Sequence, residues 1–534
     1  MVSTTALRRI LGRRDVLSGL AGLGLFAAGF SHAPVWAEPR LREDPFTLGV
    51  ASGDPHPDGV VLWTRLAPEP LALDGHGGMP NLAVPVRWEV ALDERFRRVV
   101  QRGEVLAVPE LAHAVHVEVR GLRPNWTYFY RFRAGRFVSP VGRTKTAPAP
   151  GTPLTTLRVG VASCQVWWGG FYTAYRHMSD DDLAVVLHLG DYIYENTIPA
   201  DGLHRKVTLP TEIRTEPWTL TEYRLRYALF RTDPDLQAAH AALPFVVTWD
   251  DHEVDDNWAG DFSRDLDVDP ATFRQRRAAA AQAYYEHLPL RLPQKPNGAD
   301  IRLYRRLTYG DLVTVHVLDE RSYRDDQACG DGQQEDCAER LDPTRTMLGA
   351  EQERWLAEGL TGARTRWNLL ANQVPMSQFD LDVGDPLPLF MDAWDGYPAA
   401  RQRLLDLFAD RPDLNPVVVT GDRHRHIAAE LKLNFDDPDS ATVGVEFGGT
   451  SISSDQDGED LDPHSEVVLA ANPHVRFMNH QRGYLRLTLT REQCRADHLV
   501  MPYVSRPGAP IAVRASFVTE AGKPGLQLDT QSRV

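Results

Sequence analysis

The strongest constraint on this fold is a unit repeated after residue 156: a short apolar run that stops abruptly in polar residues. "LRVGVAS", "LAVVLHLG", "PFVVTW", "LVTVHVLD", "WNLLANQ" and "PVVVTGD" have the length and β-branched content of buried strands. Between them "WTLTEYRLRYALF", "TFRQRRAAAAQAYYEHL", "GAEQERWLAEGL" and "AARQRLLDLFAD" carry helical periodicity. Strands alternating with helices predict an α/β domain, placed here over residues 152–506.

Four of these strands end in residues that suit a metal. "VGVAS" leads into Cys164 and Gln165, and "VVLHLG" into Asp191, Tyr192, Ile193, Tyr194 and Glu195. "PFVVTW" leads into Asp250, Asp251, His252 and Glu253, with Asp255, Asp256 and Asn257 following. "PVVVT" leads into Asp422, Arg423, His424, Arg425 and His426. Ligands of open α/β sheets bind beyond the carboxyl ends of the strands, so these tips are candidates to converge. Thiolate, phenolate and imidazole together suit a transition metal, whereas aspartates alone suit Ca²⁺ or Mg²⁺. No G-x-S-x-G elbow and no Walker A loop is present, which weighs against a serine hydrolase and a P-loop enzyme.

Upstream the pattern differs. "GVVLWTRL", "VPVRWEVAL", "AVHVEVRGL" and "TYFYRFRAG" alternate apolar and polar residues, as half-buried strands do. They predict a fibronectin- or immunoglobulin-like β-sandwich over 44–147, with "GLRPNWTYFYRF" as its tyrosine corner. The Pro/Thr-rich "TAPAPGTPLTT" at 146–156 marks the boundary. Residues 507–534 show no strong pattern and read as a tail.

The N-terminus reads as an export signal over residues 1–37: Arg8, Arg9, Arg13 and Arg14, then an uncharged stretch from Val16 to a "VWA" cleavage site. "GRRDVL" is similar to a twin-arginine motif, with a Sec signal or an uncleaved anchor as the alternative. The expected location is therefore periplasmic or secreted, with the twin-arginine export machinery as a partner and no stable membrane anchor after cleavage. Removing four arginines and one aspartate takes the net charge from -15 to about -18, which disfavours nucleic-acid binding through a basic surface. Cys329 and Cys337, in "CGDGQQEDC", suit a local disulfide, while Cys164 and Cys494 have no evident mate.

The motifs "FTLGVASGDPHPDGVVLWTRL", "VASCQ", "HLGDYIYE", "WDDHEVDDNWAG" and "VVVTGDRHRH" together resemble the alkaline phosphatase D (PhoD-like) phosphatases, relatives of the purple acid and calcineurin-like phosphatases. The resemblance spans nearly the whole chain and implies a four-layer αββα metallophosphatase-type core. It implies a ferric site of Cys164, Asp191, Tyr194 and His424, and a Ca²⁺ site of Asp191, Asp251 and Asp422 with Asp191 shared. A second Ca²⁺ is implied, for which Asp250 and Asn257 are candidates. Asp251 and Asp422 stand where the wider superfamily has neutral ligands, a change toward hard cations. His252 is expected to contact phosphate or protonate the leaving oxygen, and Arg423 to clamp a phosphate oxygen, with Asn257 beside them.

Such a centre would hydrolyse a phosphoric ester, a monoester or a diester. The competing reading is a secreted calcium-binding recognition protein with a non-catalytic core. Among the remaining polar residues, Tyr192 and His188 read as packing. His426 reads as a partner of the ligands or a surface group, and Asp255, Asp256 and "SSDQDGEDLD" as solvated loop charges.

Overall fold

The computed structural model describes residues 41–384 and 387–532; the predicted export signal lies outside them. Two sheets carry the α/β region. The first has ten strands, and its centre is the parallel set Thr156–Ala162, Val185–His188, Pro244–Val247 and Val50–His56. The second has seven, with Val313–Val317, Trp367–Ala371, Pro416–Thr420 and Thr442–Gly448 parallel at its centre.

Strand periodicity explains why these runs are apolar on both sides. Val185 and Leu187 join a buried cluster with Val315, Val317, Leu369, Val417 and Val419 of the second sheet. Val186, between them, packs into a different cluster with Tyr175, Met178, Tyr227 and Tyr284, which lie on helices. On the second sheet, Leu370 and Val418 face a third cluster that includes Leu356 and Leu404 of two further helices. The expected helices form, and side chains cap two of them, Leu220–Arg231 and Pro270–His287, as well as Pro234–Ala242. Thr219 opens Leu220–Arg231 with a capping box, and Asp233 and Asp269 precede helices that begin with proline.

The strands do not stop at the Pro/Thr-rich boundary. Val50–His56, Gly59–Arg65 and Ala114–Val119 continue the ten-stranded sheet, Ser52 pairing with Pro244. Their other neighbours are the strands around Val84–Ala91, Val99–Ala107 and Thr127–Ala134, with Val60, Leu62, Val86, Tyr130 and Phe132 in one buried cluster. The hydroxyl of Tyr128 accepts the backbone N–H of Arg123 at 2.8 Å.

One expectation is corrected. Residues 507–534 are not a structureless tail, because Ala512–Glu520 and Lys523–Gln531 are strands at one end of the ten-stranded sheet. The last strand is largely exposed, so it needs few apolar residues and left little pattern to read. Cys329 and Cys337 form a disulfide.

Candidate metal centre

Three of the four polar tips lie side by side because their strands are parallel and in register, and the fourth, after Pro416–Thr420, comes from the second sheet. His188 pairs with Ala162 on one side and Val247 on the other, so three tips leave the sheet at one level. Gly190 then passes so close to Asp250 that a Cβ would lie 2.3 Å from its backbone nitrogen. Only glycine fits there, at φ 110°. Beyond the strands Cys164, Asp191, Asp422 and His424 all adopt left-handed backbone conformations, at φ 61°, 56°, 59° and 52°. Each such residue costs roughly 1 kcal/mol or more, and the surrounding hydrogen bonds hold it there.

Glu253 is the main tie. Its carboxylate accepts the N–H groups of Asp191 at 3.1 Å, Tyr192 at 2.5 Å and Asp250 at 2.8 Å, joining two tips. Burial and the neighbouring Asp191 carboxylate push its pKa up to about 8, against the pull of those three donors.

Three donor groups can each surround a cation: Cys164, Asp191 and His424; Asp191, Asp251 and His252; and Asp250, Asp251 and Asp422. In the first, Tyr194 donates its hydroxyl proton to Asp191 Oδ2 at 2.8 Å and lies 3.1 Å from His424 Nε2. Ser454 donates to the Tyr194 oxygen at 2.8 Å, and Asp455 meets His424 Nδ1 at 2.9 Å. Burial and then the Asp191 charge raise the pKa of both Cys164 and Tyr194, so without a cation both keep their protons.

The third group is a knot of carboxylates around a buried arginine, Arg321. Burial raises Asp250, and it lifts Asp422 to about 6. Asp251 moves the other way. Burial opposes its charge, but Arg321, His252 and the N–H of Asn257 outweigh it. Asp191 Oδ1 and Asp251 Oδ1 are buried and lack a hydrogen-bond partner among the described residues. Buried carboxylate oxygens left bare are costly, and a cation is the partner this donor chemistry fits.

Above these groups opens a cleft of about 370 Å³ lined by Asp191, Asp251, His252, Asn257, Asp422, Arg423 and His424, with Phe390 and Arg264 on its walls. His252 Nδ1 is held by Glu195 Oε2 at 2.8 Å, and its ring lies 4.1 Å from that of Tyr194. Burial opposes the imidazolium, but Glu195 and Asp251 outweigh it and raise the His252 pKa. The Arg423 guanidinium lies over the Phe390 ring at 5.1 Å. Asn257 donates its amide to Asp331 Oδ2 at 2.9 Å, which ties the site to the disulfide loop.

Seven of the ten candidate site residues line the cleft, Cys164 and Tyr194 join Asp191 beside it, and some other expectations change. Asp250, a candidate for the second Ca²⁺, groups with Asp251 and Asp422 and also bonds Arg321 Nε through Oδ1 at 2.5 Å. His426 is neither at the surface nor beside the ligands. It is buried on a strand, 3.2 Å from His498 and bonded to the Leu499 carbonyl. Asp255 is not a solvated charge but is buried against Arg276 and Ser263, and Asp256 pairs with Arg264. The run "SSDQDGEDLD" supplies Ser454 and Asp455 to the site, while Asp462 binds Arg425. His188 and Tyr192 do pack in the interior, Tyr192 bonding to His240.

Arg321 carries no signal among the sequence motifs, and Asp455, expected to be a solvated loop charge, instead meets His424. Arg321 follows the strand "LVTVHV" as a fifth polar tip, Asp319-Glu320-Arg321, and Asp455 follows Thr442–Gly448 at a longer interval.

An α/β fold whose strand tips gather thiol, phenol, imidazole and carboxylate donors under an open polar cleft defines a hydrolase of the metallophosphatase kind. The chain belongs to the PhoD-like phosphatase family, whose profile matches residues 159–498, while that of the PhoD-like phosphatase N-terminal domain matches 31–148. It is 47% identical over 521 residues to alkaline phosphatase D of Bacillus subtilis (strain 168), covering 96% of this chain and 88% of that one. A solved structure of PhoD superposes with a TM-score of 0.89 at 48% identity, covering 93% of this chain and 94% of that one. The protein is therefore a phosphoric ester hydrolase, and the non-catalytic recognition-protein reading is set aside.

Proposed function

We propose that this hydrolase works at a mixed iron–calcium centre, with Cys164, Asp191, Tyr194 and His424 as the ferric ligands and Asp191, Asp251 and Asp422 as the calcium ligands. The observation that carries the reading is Asp191: Oδ2 belongs to the Tyr194–His424 side, while buried Oδ1 has no hydrogen-bond partner among the described residues. When bound, such ions neutralise phosphate oxygens and make a water nucleophilic at neutral pH. The protein's own residues then act on the ester. Arg423, at the cleft wall, pairs with a phosphate oxygen. His252, fixed by Glu195, meets the leaving oxygen and delivers its proton. Asn257 holds Asp251 in place through its backbone N–H at 2.8 Å and borders the bound ester.

The two facing sheets with helices outside them are read as the αββα core, and the N-terminal strands as a sandwich that shares one sheet with it. Export through the twin-arginine route, to the periplasm or beyond, follows from the N-terminal sequence alone. Asp191→Asn tests the centre. Hydrolysis of p-nitrophenyl phosphate is expected to fall by about a thousandfold, the loss of roughly 4 kcal/mol of charge stabilisation. Wild-type turnover in this variant would sink the assignment.

A further inference from the structure

Arg321 is a fully buried charge beside the site, with a side-chain exposure of 0%. Four carboxylates surround it. Nε bonds Asp250 at 2.5 Å, and Nη1 reaches both oxygens of Asp392, at 2.9 and 2.8 Å. Nη2 stands 3.6 Å from Asp251 Oδ1 and 3.7 Å from Asp422 Oδ1. Those last two distances attract charge to charge, but they are too long for hydrogen bonds. Arg321 Nη2 and Asp251 Oδ1 accordingly both remain without a hydrogen-bond partner among the described residues, a donor and an acceptor facing each other unused.

That stand-off separates two jobs. Asp250 and Asp392 hold the guanidinium, and Arg324 anchors Asp392 from the other side at 2.5 Å. Asp251 and Asp422 feel its charge yet keep oxygens that no donor has taken. We propose that Arg321 is a positioning residue acting as a fixed internal cation: it holds Asp251 and Asp422 together before any metal binds, and it fills the place that a further divalent ion would otherwise take among these carboxylates. Asp250 is then the arginine's anchor and not a metal ligand. Removing a guanidinium from buried carboxylates leaves uncompensated charge, which is strongly destabilising unless another cation enters.

The inference rests on the reading that Asp251 and Asp422 hold Ca²⁺, and one experiment separates the two. Wild type, Arg321→Gln and Arg321→Lys are melted metal-free and Ca²⁺-loaded, and bound Ca²⁺ is counted by equilibrium dialysis. Arg321→Gln is expected to lose stability mainly in the metal-free form, so that the Ca²⁺-induced rise in Tm grows about twofold or more, with one additional Ca²⁺ bound. Arg321→Lys, which keeps the charge, is expected to lie between. Equal loss of stability in both forms, with unchanged Ca²⁺ count, overturns the proposal, as a merely structural arginine would behave that way. A wild type that binds no Ca²⁺ overturns the calcium reading itself. Should Arg321→Gln fail to fold, Asp250→Asn decides: an unchanged Ca²⁺ count supports Asp250 as an anchor, and loss of one ion refutes it.

Discussion

The two sides of the centre solve the same problem differently. On the side of Cys164, Tyr194 and His424 the donors are satisfied by hydrogen bonds: Cys164 bonds Ser163, Tyr194 bonds Asp191, His424 and Ser454, and His424 bonds Asp455. Burial and the Asp191 charge keep protons on the thiol and the phenol, so neither of these two groups is an anion before a metal arrives. On the side of Asp251 and Asp422 the donors are carboxylates, which cannot be quieted by bonding to each other. There the chain provides a cation of its own, Arg321. One side stores protons and the other stores a positive charge, and Asp191 connects them.

Removing the thiol breaks the comparison hardest. Cys164→Ala is expected to abolish visible absorption from a bound ferric ion and to lower phosphatase activity about a hundredfold or more, with Ca²⁺ binding retained. Equal loss of both ions on titration would show that the sides are not separable. A second effect concerns protons. Metal binding on the thiol–phenol side must displace protons held by groups with raised pKa, so affinity there rises with pH and protons are released. Asp422, at about 6, is already ionised above neutrality, so Ca²⁺ affinity should be flat from pH 7 to 8 and weaken below pH 6. Calorimetry in buffers of different ionisation enthalpy counts the protons for each ion.

The smallest effect lies outside both sides. In Glu253→Gln one carboxylate oxygen becomes an amide that cannot accept a backbone N–H, which loosens the tips bearing Asp191 and Asp250. Metal affinity is expected to drop by about tenfold to a hundredfold, as for other partners of ligands. Equal metal affinity in this variant and wild type would mean that the ligand loops hold their shape without that tie.

Much of this was visible in the residues because parallel strands are buried on both faces and end in function. "VVLHLGD" and "PVVVTGD" announce a strand and its tip in a single line. Arg321 was hidden because an arginine after a strand is usually a surface charge. Its burial depends on Asp250 and Asp392, each 71 residues away. Asp455 was hidden for a similar reason, since its acidic run looks solvated until the fold brings it to His424. The shared sheet between the N-terminal strands and the catalytic strands was hidden as well. Pairing of Ser52 with Pro244 leaves no local trace, because either strand would alternate in the same way beside a different neighbour.

One centre with two unlike sides is joined at Asp191. Element-resolved metal content, measured on parallel preparations of wild type, Asp191→Asn, Tyr194→Phe and Asp422→Asn, tests it most directly. Asp191→Asn is expected to lose both iron and calcium, Tyr194→Phe iron alone and Asp422→Asn calcium alone. Wild-type protein without iron, or an Asp191→Asn variant that keeps either ion at full occupancy, would contradict it.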